Sequence, residues 1–415
     1  MICRLLFFLF FGLLSPYAYA QLPGKKESIK LAGDIVSFLA SDSLKGRGNY
    51  KPELQIAAGF IEKHFDSIGL KTIPGYNHFA IPVNFKLQPS IFYDLEINKQ
   101  KINNDHYQLL SASFFVVFDT FQYKKFNFFP SESDWFLLFN DSLSQLLNFE
   151  TDEEMWVQSL NLPPGQPRKP ILIVKNQELP ISAKLTIQPS SEEVLMNIVG
   201  ILPGNKYPEE VILYSAHYDH IPPKRSRRDS IYNGANDNAS GTAALIMLAK
   251  YFAEKNDNAR TLIFCAFSGE ELGLLGSKDL VKKLDTDNII AQINMDMVGI
   301  SQYKKKGFML TGSGNSELFQ IFSQNLNGSG YKVFRDYDEN RNLFKRSDNY
   351  PFALMGVPAH TIMTADDSSK CYHQVCDETE IVDMENIANT VEGIIIATTS
   401  LVNGTDTPNR IRIKE

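Results

Sequence analysis

The sequence "TLIFCAFSGEELGLLGSKDL", residues 261–280, places two adjacent acidic side chains at the end of an apolar stretch. Residues 262–267 form an apolar run of strand length, which breaks at a Ser-Gly pair. Glu270 and Glu271 follow before a helical pattern begins. A short continuous apolar run is typical of a strand that is buried on both faces of a sheet. The stretch therefore predicts a buried strand, a turn that carries two carboxylates, and a helix.

The same succession of strand, loop and helix recurs from residue 196 onward. The predicted strands are "NIVGILPG" (197–204), "EVILYSAHYD" (210–219), "TLIFCAF" (261–267), "IIAQINMDM" (289–297) and "VPAHTIMT" (357–364). The predicted helices are "NASGTAALIMLAKYFAEK" (238–255), "LGLLGSKDLVKKL" (272–284), "SELFQIFSQNL" (316–326) and residues 384–401. Apolar strands that alternate with helices predict a three-layer α/β/α sandwich with a mostly parallel central sheet.

The rest of the chain divides into three parts. Residues 1–20 combine a basic residue, a short apolar segment and a small-residue cleavage motif, which predicts a secretory signal peptide. Residues 21–84 form an N-terminal helical part of the main domain, with two amphipathic helices joined by "LKGRGN". Residues 85–195 are rich in Phe and β-forming residues and predict a β-rich insertion, which leaves 196–415 as the main α/β domain.

Charge and cysteine content limit the function. The formal net charge is -7, which argues against a nucleic-acid-binding protein. The basic cluster "PPKRSRRDS" (222–230) is interpreted as a solvated loop, although its position leaves a substrate-contacting loop open. No segment after the signal is long and apolar enough for a membrane span. Cys265 is expected to be a buried thiol, whereas Cys371 and Cys376 can pair in an exported protein, a question that the sequence leaves open.

Acidic and histidine side chains follow the ends of the predicted strands. In α/β sheets, ligands bind outside the carboxyl ends of the strands, so these side chains are expected to meet at one edge of the sheet. They are His217, Asp219, Asp237, Glu270, Glu271, Asp296 and His373. Because a cluster of carboxylates would otherwise repel itself, the arrangement predicts bound cations.

The ligand types indicate which cation binds. Mixed imidazole and carboxylate ligation suits zinc or a similar borderline transition metal, whereas magnesium and calcium prefer oxygen ligands only. Five candidate ligands are enough for two metals if one carboxylate bridges them: His217, Asp237, Glu271, Asp296 and His373. Glu270 is then free to act as the general base toward the attacking water. Asp219 is expected to fix the tautomer of the His217 ring. Since the histidines must be neutral to bind metal, activity is expected to fall in acid.

An ordered set of motifs resembles the M28 family of co-catalytic zinc exopeptidases. The motifs are "SAHYDH", "NGANDNASGTAALIMLAKYF", "FSGEELGLLGS", "INMDMVG" and "SDNYPFALMGVPAHTI" with "YHQVCDE", and they cover most of residues 196–400. "LASDSLKGRGNYKPELQIAAGFIEKHFDSIGL" also resembles the family's N-terminal stretch.

The resemblance implies a role for each candidate in the centre. His217 and Asp296 would bind one zinc, Glu271 and His373 the other, and Asp237 would bridge the two zinc ions per chain. Glu270 would be the base, which agrees with the interpretation of the residues themselves. One departure is Asn349, where the family often has His, and this puts only a local contact in doubt. The remaining histidines are interpreted as structural: His64, His78, His106, His220 and His360.

Several functions are compatible with this pattern. The favoured one is an exported, periplasmic or secreted aminopeptidase that releases N-terminal residues from peptides. A glutaminyl cyclase with one zinc and a carboxypeptidase on the same scaffold are alternatives. A non-catalytic binding protein is a third class, but such proteins normally lose ligands, and none is lost here. The sequence leaves open the preferred side chain, the oligomeric state and the role of the insertion.

Overall fold

The computed structural model describes most of the main domain and the strands of the insertion. The described residues are 24–49, 51–83, 91–97, 100–102, 107–110, 122–126, 134–139, 171–176, 183–189, 194–223, 229–336 and 341–413. The chain divides into two compact units, Met1–Val83 with Leu195–Glu415, and Asn84–Val194. The predicted signal peptide and most of the basic cluster lie outside the described residues.

An eight-stranded sheet forms the centre of the first unit. Its strands are β1 (Ala80–Pro82), β9 (Met196–Leu202), β10 (Tyr207–His217), β11 (Arg260–Phe267), β12 (Ile289–Met295), β13 (Gly307–Leu310), β14 (Lys332–Arg335) and β15 (Ala359–Met363). Their order across the sheet is β1-β9-β11-β10-β12-β15-β13-β14. The four central strands β11, β10, β12 and β15 are mutually parallel, whereas β1, β9 and the β13–β14 pair join antiparallel to their inner neighbours.

Helices cover the sheet, which confirms the predicted α/β/α sandwich. They are α1 (Lys25–Leu39), α2 (Pro52–Ile68), α3 (Gly241–Lys255), α4 (Leu275–Leu280), α5 (Leu318–Asn325), α6 (Tyr350–Leu354) and α7 (Met384–Val402). Helix α4 is shorter than the sequence pattern over 272–284 predicts, because turns precede and follow it. The sheet is mixed, because the pairs β1–β9, β9–β11 and β13–β15 are antiparallel. The sequence pattern missed the short strands β1, β13 and β14, since it depends on longer apolar runs.

Strand β11 shows how the apolar sequence builds the core. All eight of its residues are buried, and successive side chains of a strand point to opposite faces. Ile263, Cys265 and Phe267 join the apolar cluster that includes Leu280 and Phe352. On the alternate positions, Phe264 stacks on Tyr214, which also stacks on Phe252 of α3. The strand is thus buried on both faces, and the prediction that Cys265 is a buried thiol is confirmed.

The N-terminal helices surround a tight turn, as the sequence predicts. Helix α2 begins with Pro52 at its first turn and ends at Gly69, whose left-handed φ of 83° provides the usual helix stop. Between α1 and α2 lies a 3-10 segment, Asp42–Arg47, in which Lys45 and Gly46 also have positive φ. This geometry turns the chain back so that the side chain of Arg47 enters the interior.

The second unit contains the strands β2 (Ile91–Ile97), β3 (Gln100–Ile102), β4 (Tyr107–Leu110), β5 (Gln122–Phe126), β6 (Asp134–Phe139), β7 (Ile171–Asn176) and β8 (Ala183–Pro189). They form an antiparallel sheet in the order β3-β2-β8 and another in the order β4-β7-β6-β5. In the part of the chain that is described, none of the helices combines the length and apolar character that a membrane crossing requires.

Candidate metal centre

The parallel strands bring the predicted site residues to one edge of the sheet. His217 is the last residue of β10, and Asp296 directly follows β12. Glu270 and Glu271 lie in the turn after β11, and His373 lies in the loop after β15. Because these four strands run in the same direction, their carboxyl ends place the side chains together.

One group of possible metal ligands consists of His217, Asp237 and Asp296. The Nε2 atom of His217 lies 3.4 Å from Asp237 Oδ1 and 3.5 Å from Asp296 Oδ1. All three residues are buried. The spacing is that of atoms which share a cation, since ligands about 2 Å from a zinc ion stand a little over 3 Å apart.

A second group shares Asp237 with the first. It consists of Asp237, Glu271, His373 and His220. The Nε2 atom of His373 lies 3.2 Å from Asp237 Oδ2 and 3.2 Å from Glu271 Oε2. Asp237 therefore directs Oδ1 toward the first group and Oδ2 toward the second, which is the arrangement of a bridging carboxylate.

Unpaired polar atoms test whether these residues fit a metal. Asp296 Oδ1, Glu271 Oε1 and both ring nitrogens of His220 are buried and have no hydrogen-bond partner. Buried polar groups without a partner are rare, and a missing ion is one of the few explanations. The donor set of imidazoles and carboxylates suits zinc. The residues thus fit two zinc ions in geometry and in chemistry.

Burial and charge shift the pKa values of the acidic groups in opposite directions. Burial, with repulsion from Glu271 and Asp348, raises the pKa of Glu270 well above its usual value. Burial also raises the pKa of Asp348 to about 7. Although burial opposes the shift, hydrogen bonds with the two flanking histidines hold the pKa of Asp237 well below its usual range. More carboxylates meet here than the imidazoles neutralise, so cations would stabilise the cluster.

Asp219 acts differently from the sequence-based expectation. Its carboxylate is 3.8 Å from His217 Nδ1, and that nitrogen instead lies 3.1 Å from the backbone carbonyl of Asp219. The Asp219 carboxylate accepts hydrogen bonds from the backbone N–H groups of Glu270 and Glu271, at 3.2 and 3.3 Å, and from Asn49 Nδ2 at 2.6 Å. The Asp219 side chain thus fixes the turn that carries Glu270 and Glu271, and the Asp219 backbone carbonyl orients the imidazole of His217.

Two further side chains that sequence reasoning missed hold the metal-ligand loops. Asp377 accepts hydrogen bonds from the backbone N–H groups of Asn236 and Asp237, at 2.8 and 3.0 Å. Ser347 donates its hydroxyl to Asp296 Oδ2 at 2.8 Å. Asp377 thus fixes the backbone that carries Asp237, and Ser347 fixes the Asp296 carboxylate, which is how outer partners orient metal ligands.

The buried guanidinium of Arg47 ties together the loops under the centre. It is fully buried and donates to the backbone carbonyls of Leu39, Tyr218, Asn233 and Gly234. Burial lowers its pKa to about 10, so the group stays charged at neutral pH. These bonds join the end of α1 to the loops that carry Asp219 and Asp237.

We therefore expect Arg47→Met to destabilise the fold by about 3 kcal/mol or more, since each buried acceptor left without a partner costs about 1–3 kcal/mol. Urea unfolding of both proteins measures the change. Lys45→Met is the matched control, because Lys45 is largely exposed and its ion pair with Glu53 contributes at most about 1 kcal/mol. Equal losses in the two variants would contradict the role of Arg47.

A short disulfide loop carries His373. Cys371 and Cys376 are bonded, with Cα atoms 5.2 Å apart, which answers the question that the sequence left open. His373 lies inside this loop with a φ of 54°, in the left-handed region that non-glycine residues seldom adopt. Its ring stacks on Tyr372, with centroids 3.9 Å apart. The disulfide thus restrains His373, whose side chain is 33% exposed and is the most exposed of the candidate ligands.

Removing this crosslink is expected to loosen His373. For the double variant Cys371→Ser with Cys376→Ser, the chain-entropy relation gives a loss of about 2 kcal/mol in unfolding free energy. Zinc retention during dialysis should fall as well, because His373 loses its restraint. Chemical unfolding and zinc analysis measure both quantities. Adding a reductant to the double variant is the control and should change neither. A variant that keeps the parent's stability and zinc would contradict this role.

The structure also places the residues that sequence reasoning set aside. His360 is buried, and its ring nitrogens lie 2.7 Å from the Thr311 carbonyl and from Ser316 Oγ, as befits a structural residue. Asn349 is buried and bonds to Phe344 and Thr361, away from the ligand cluster. His220, interpreted as structural from the sequence, lies among the candidate ligands, and its ring nitrogens have no hydrogen-bond partner.

A cleft opens onto the two ligand groups. Glu270 lines it together with His217, Asp237 and Asp296. Apolar side chains form another part of its wall: Met297, Leu343, Met363 and Tyr372. Arg346 also lines the cleft, but it donates to Asp367 Oδ2 at 2.6 Å, so its charge is already paired. The cleft therefore joins a polar ligand cluster to an apolar surface.

Known proteins resemble this chain in sequence. Residues 197–398 match the model of Peptidase family M28. Aminopeptidase YwaD of Bacillus subtilis is 24% identical over 238 residues, which are 55% of this chain and 50% of that protein. A probable zinc metalloprotease of Pyrenophora teres f. teres is 38% identical over 110 residues, 26% of this chain and 23% of that protein. The chain thus spans half or less of the length of these curated relatives.

Solved structures show the same fold. The structure of BSAP, a zinc aminopeptidase from Bacillus subtilis, superposes with a TM-score of 0.63 at 18% identity, covering 92% of this chain and 96% of that one. A glutaminyl cyclase from an Acidobacteriales bacterium gives a TM-score of 0.51 at 15% identity, covering 94% and 98%. At these identities the likeness concerns the fold alone. The molecule has a zinc-exopeptidase-like α/β fold. The match of residues 197–398 to the model of Peptidase family M28 confirms the resemblance seen in the motifs.

Proposed function

We propose that this chain is an exported di-zinc aminopeptidase that releases N-terminal residues from peptides. The observation that carries the proposal is the pair of ligand groups joined by the two carboxylate oxygens of Asp237, with Glu270 in the same cleft. His217 and Asp296 would hold one zinc, and Glu271 and His373 the other. When bound, zinc acts as a Lewis acid toward a carbonyl oxygen and lowers the pKa of a water molecule.

Glu270 is the residue that moves the proton. It lines the cleft but belongs to neither ligand group, so its carboxylate is free to accept a proton from the attacking water and to return it to the leaving amine. Burial and repulsion from Glu271 raise its pKa, which favours uptake of a proton by this carboxylate. Asp219 fixes the turn that sets the direction of this side chain.

The cleft supports a substrate with an apolar N-terminal side chain. Met297, Leu343 and Met363 offer an apolar surface next to the ligands. A free α-amino group is a cation and is compatible with the carboxylates there. A peptide carboxylate would need a cation, and Arg346 is already paired with Asp367. These contacts favour an aminopeptidase over a carboxypeptidase.

Two features support export. Residues 1–20 have the composition of a signal peptide. The Cys371–Cys376 disulfide suits an oxidising compartment such as the periplasm or the extracellular space.

The test of the activity is hydrolysis of a peptide panel in which each sequence is supplied with a free and with an acetylated N-terminus. We expect release of N-terminal Leu or Phe from the free peptides only, loss of that release with a chelator, and recovery with zinc. Cleavage of the acetylated peptides from their C-termini would indicate a carboxypeptidase. Cyclisation of an N-terminal glutamine without hydrolysis would indicate a cyclase. Either result would contradict the proposal.

A further inference from the structure

His220 lies just beyond β10, and its ring is completely buried. Its backbone pairs with Gly48 in a short bridge. Gly234 packs against the ring, and a Cβ atom at that position would come within 2.6 Å of His220 Cγ and Cδ2. The ring therefore has little freedom to turn away from the centre. A buried imidazole held in this way needs partners for its two nitrogens.

The contact between His220 and Glu271 is close but is not a hydrogen bond. His220 Nδ1 lies 2.8 Å from Glu271 Oε1 and 3.9 Å from Asp237 Oδ2. Nevertheless, both Nδ1 and Oε1 lack a hydrogen-bond partner, because the alignment that a hydrogen bond requires is absent. Two buried nitrogen and oxygen atoms that approach each other in this way, within one group of possible metal ligands, have the arrangement of atoms that face a common cation.

His360 provides a comparison within the same chain. It is also buried at the sheet, but each of its ring nitrogens has a polar partner within 2.7 Å. Such pairing is what a structural histidine requires. Neither ring nitrogen of His220 makes a hydrogen bond, although Nδ1 lies 2.8 Å from Glu271 Oε1. The His220 ring packs edge-on against His373, with centroids 5.6 Å apart.

We infer that Nδ1 of His220 is a further ligand of the zinc position formed by Asp237, Glu271 and His373. This inference rests on the two-zinc function proposed above. It gives that position four protein ligands, which is the coordination of a closed site. The position formed by His217, Asp237 and Asp296 has three, which leaves room for water or substrate next to Glu270. The two positions then have different roles, because one mainly fixes the shared carboxylate and the other is open to the reaction.

The variant His220→Ala tests the inference through metal binding. We expect the affinity for one zinc to fall by at least about 10–100-fold, the range that loss of even an outer partner causes. After dialysis against a chelator of intermediate affinity, zinc should drop from about two to about one per chain. His64→Ala is the control, since it removes a half-buried histidine of α2 outside the ligand groups. Unchanged binding of both zinc ions by a folded His220→Ala protein would overturn the inference.

A crystal structure of the zinc-loaded parent protein tests whether His220 binds zinc, even if the variant His220→Ala does not fold. We expect His220 Nδ1 to lie about 2.0–2.1 Å from one zinc ion. Two bound zinc ions that are both more than about 3 Å from Nδ1 would overturn the inference and leave the proposed function intact, because that distance excludes a bond. A parent protein that binds no zinc would overturn the proposed function and this inference together.

Discussion

Replacing Glu270 by Gln is expected to lower kcat by about 10²–10⁴-fold while both zinc ions stay bound. Gln keeps the size of the side chain but does not accept the proton of the attacking water. Glu270 belongs to neither ligand group, so the zinc affinity has no reason to fall. In addition, burial and repulsion from neighbouring carboxylates raise the pKa of this carboxyl, so an uncharged amide of the same size should be tolerated there.

Steady-state kinetics on a peptide with a free N-terminus and zinc analysis of the same preparation measure this effect. Glu271→Gln is the neighbouring control, and it should lose zinc because Glu271 belongs to the second ligand group. Substantial turnover by Glu270→Gln would contradict the role of Glu270 as the general base. Loss of zinc from Glu270→Gln would show that this residue is a ligand instead.

Replacing Asp237 by Ala is expected to weaken both zinc positions at once. Its two oxygens lie 3.4 Å from His217 and 3.2 Å from His373, and it is the residue that the two ligand groups share. We expect both affinities to fall by more than the roughly 10–100-fold that the loss of an outer partner costs. Activity should fall to the background rate at zinc concentrations that saturate the parent.

Isothermal titration with zinc separates this outcome from the loss of a single ion. Asp257→Ala is the control, because Asp257 is exposed and lies outside both groups. The backbone N–H of residue 237 still donates to Asp377 in the variant, so the loop keeps this anchor. A folded Asp237→Ala protein that binds one zinc at the parent affinity would contradict the bridging role of this carboxylate.

The sequence was informative about the ligand-bearing edge because each ligand follows a strong local signal. Buried strands such as 261–267 produce uninterrupted apolar runs, and the residue types that break them are visible at once. His217, Glu271 and Asp296 could therefore be placed at one edge from the sequence pattern. The short strands at 80–82, 307–310 and 332–335 carry too little pattern to be recognised.

The residues that support the ligands could not be found in this way. Asn49 bonds to Asp219 across 170 positions of the sequence, and Asp377 holds the Asp237 loop across about 140. Arg47 reaches carbonyls as far as Gly234. These contacts exist only in the folded chain, so no local pattern in the sequence predicts them. The sequence gives no sign of the His220 environment for a related reason, because only the structure shows that its ring nitrogens lack hydrogen-bond partners.

The zinc content of the purified, untreated protein tests the central claim most directly. Two ligand groups that share Asp237 predict about two zinc ions per chain, measured by elemental analysis against an accurate protein concentration. A value close to one, unchanged after incubation with excess zinc and desalting, would contradict the two-zinc centre.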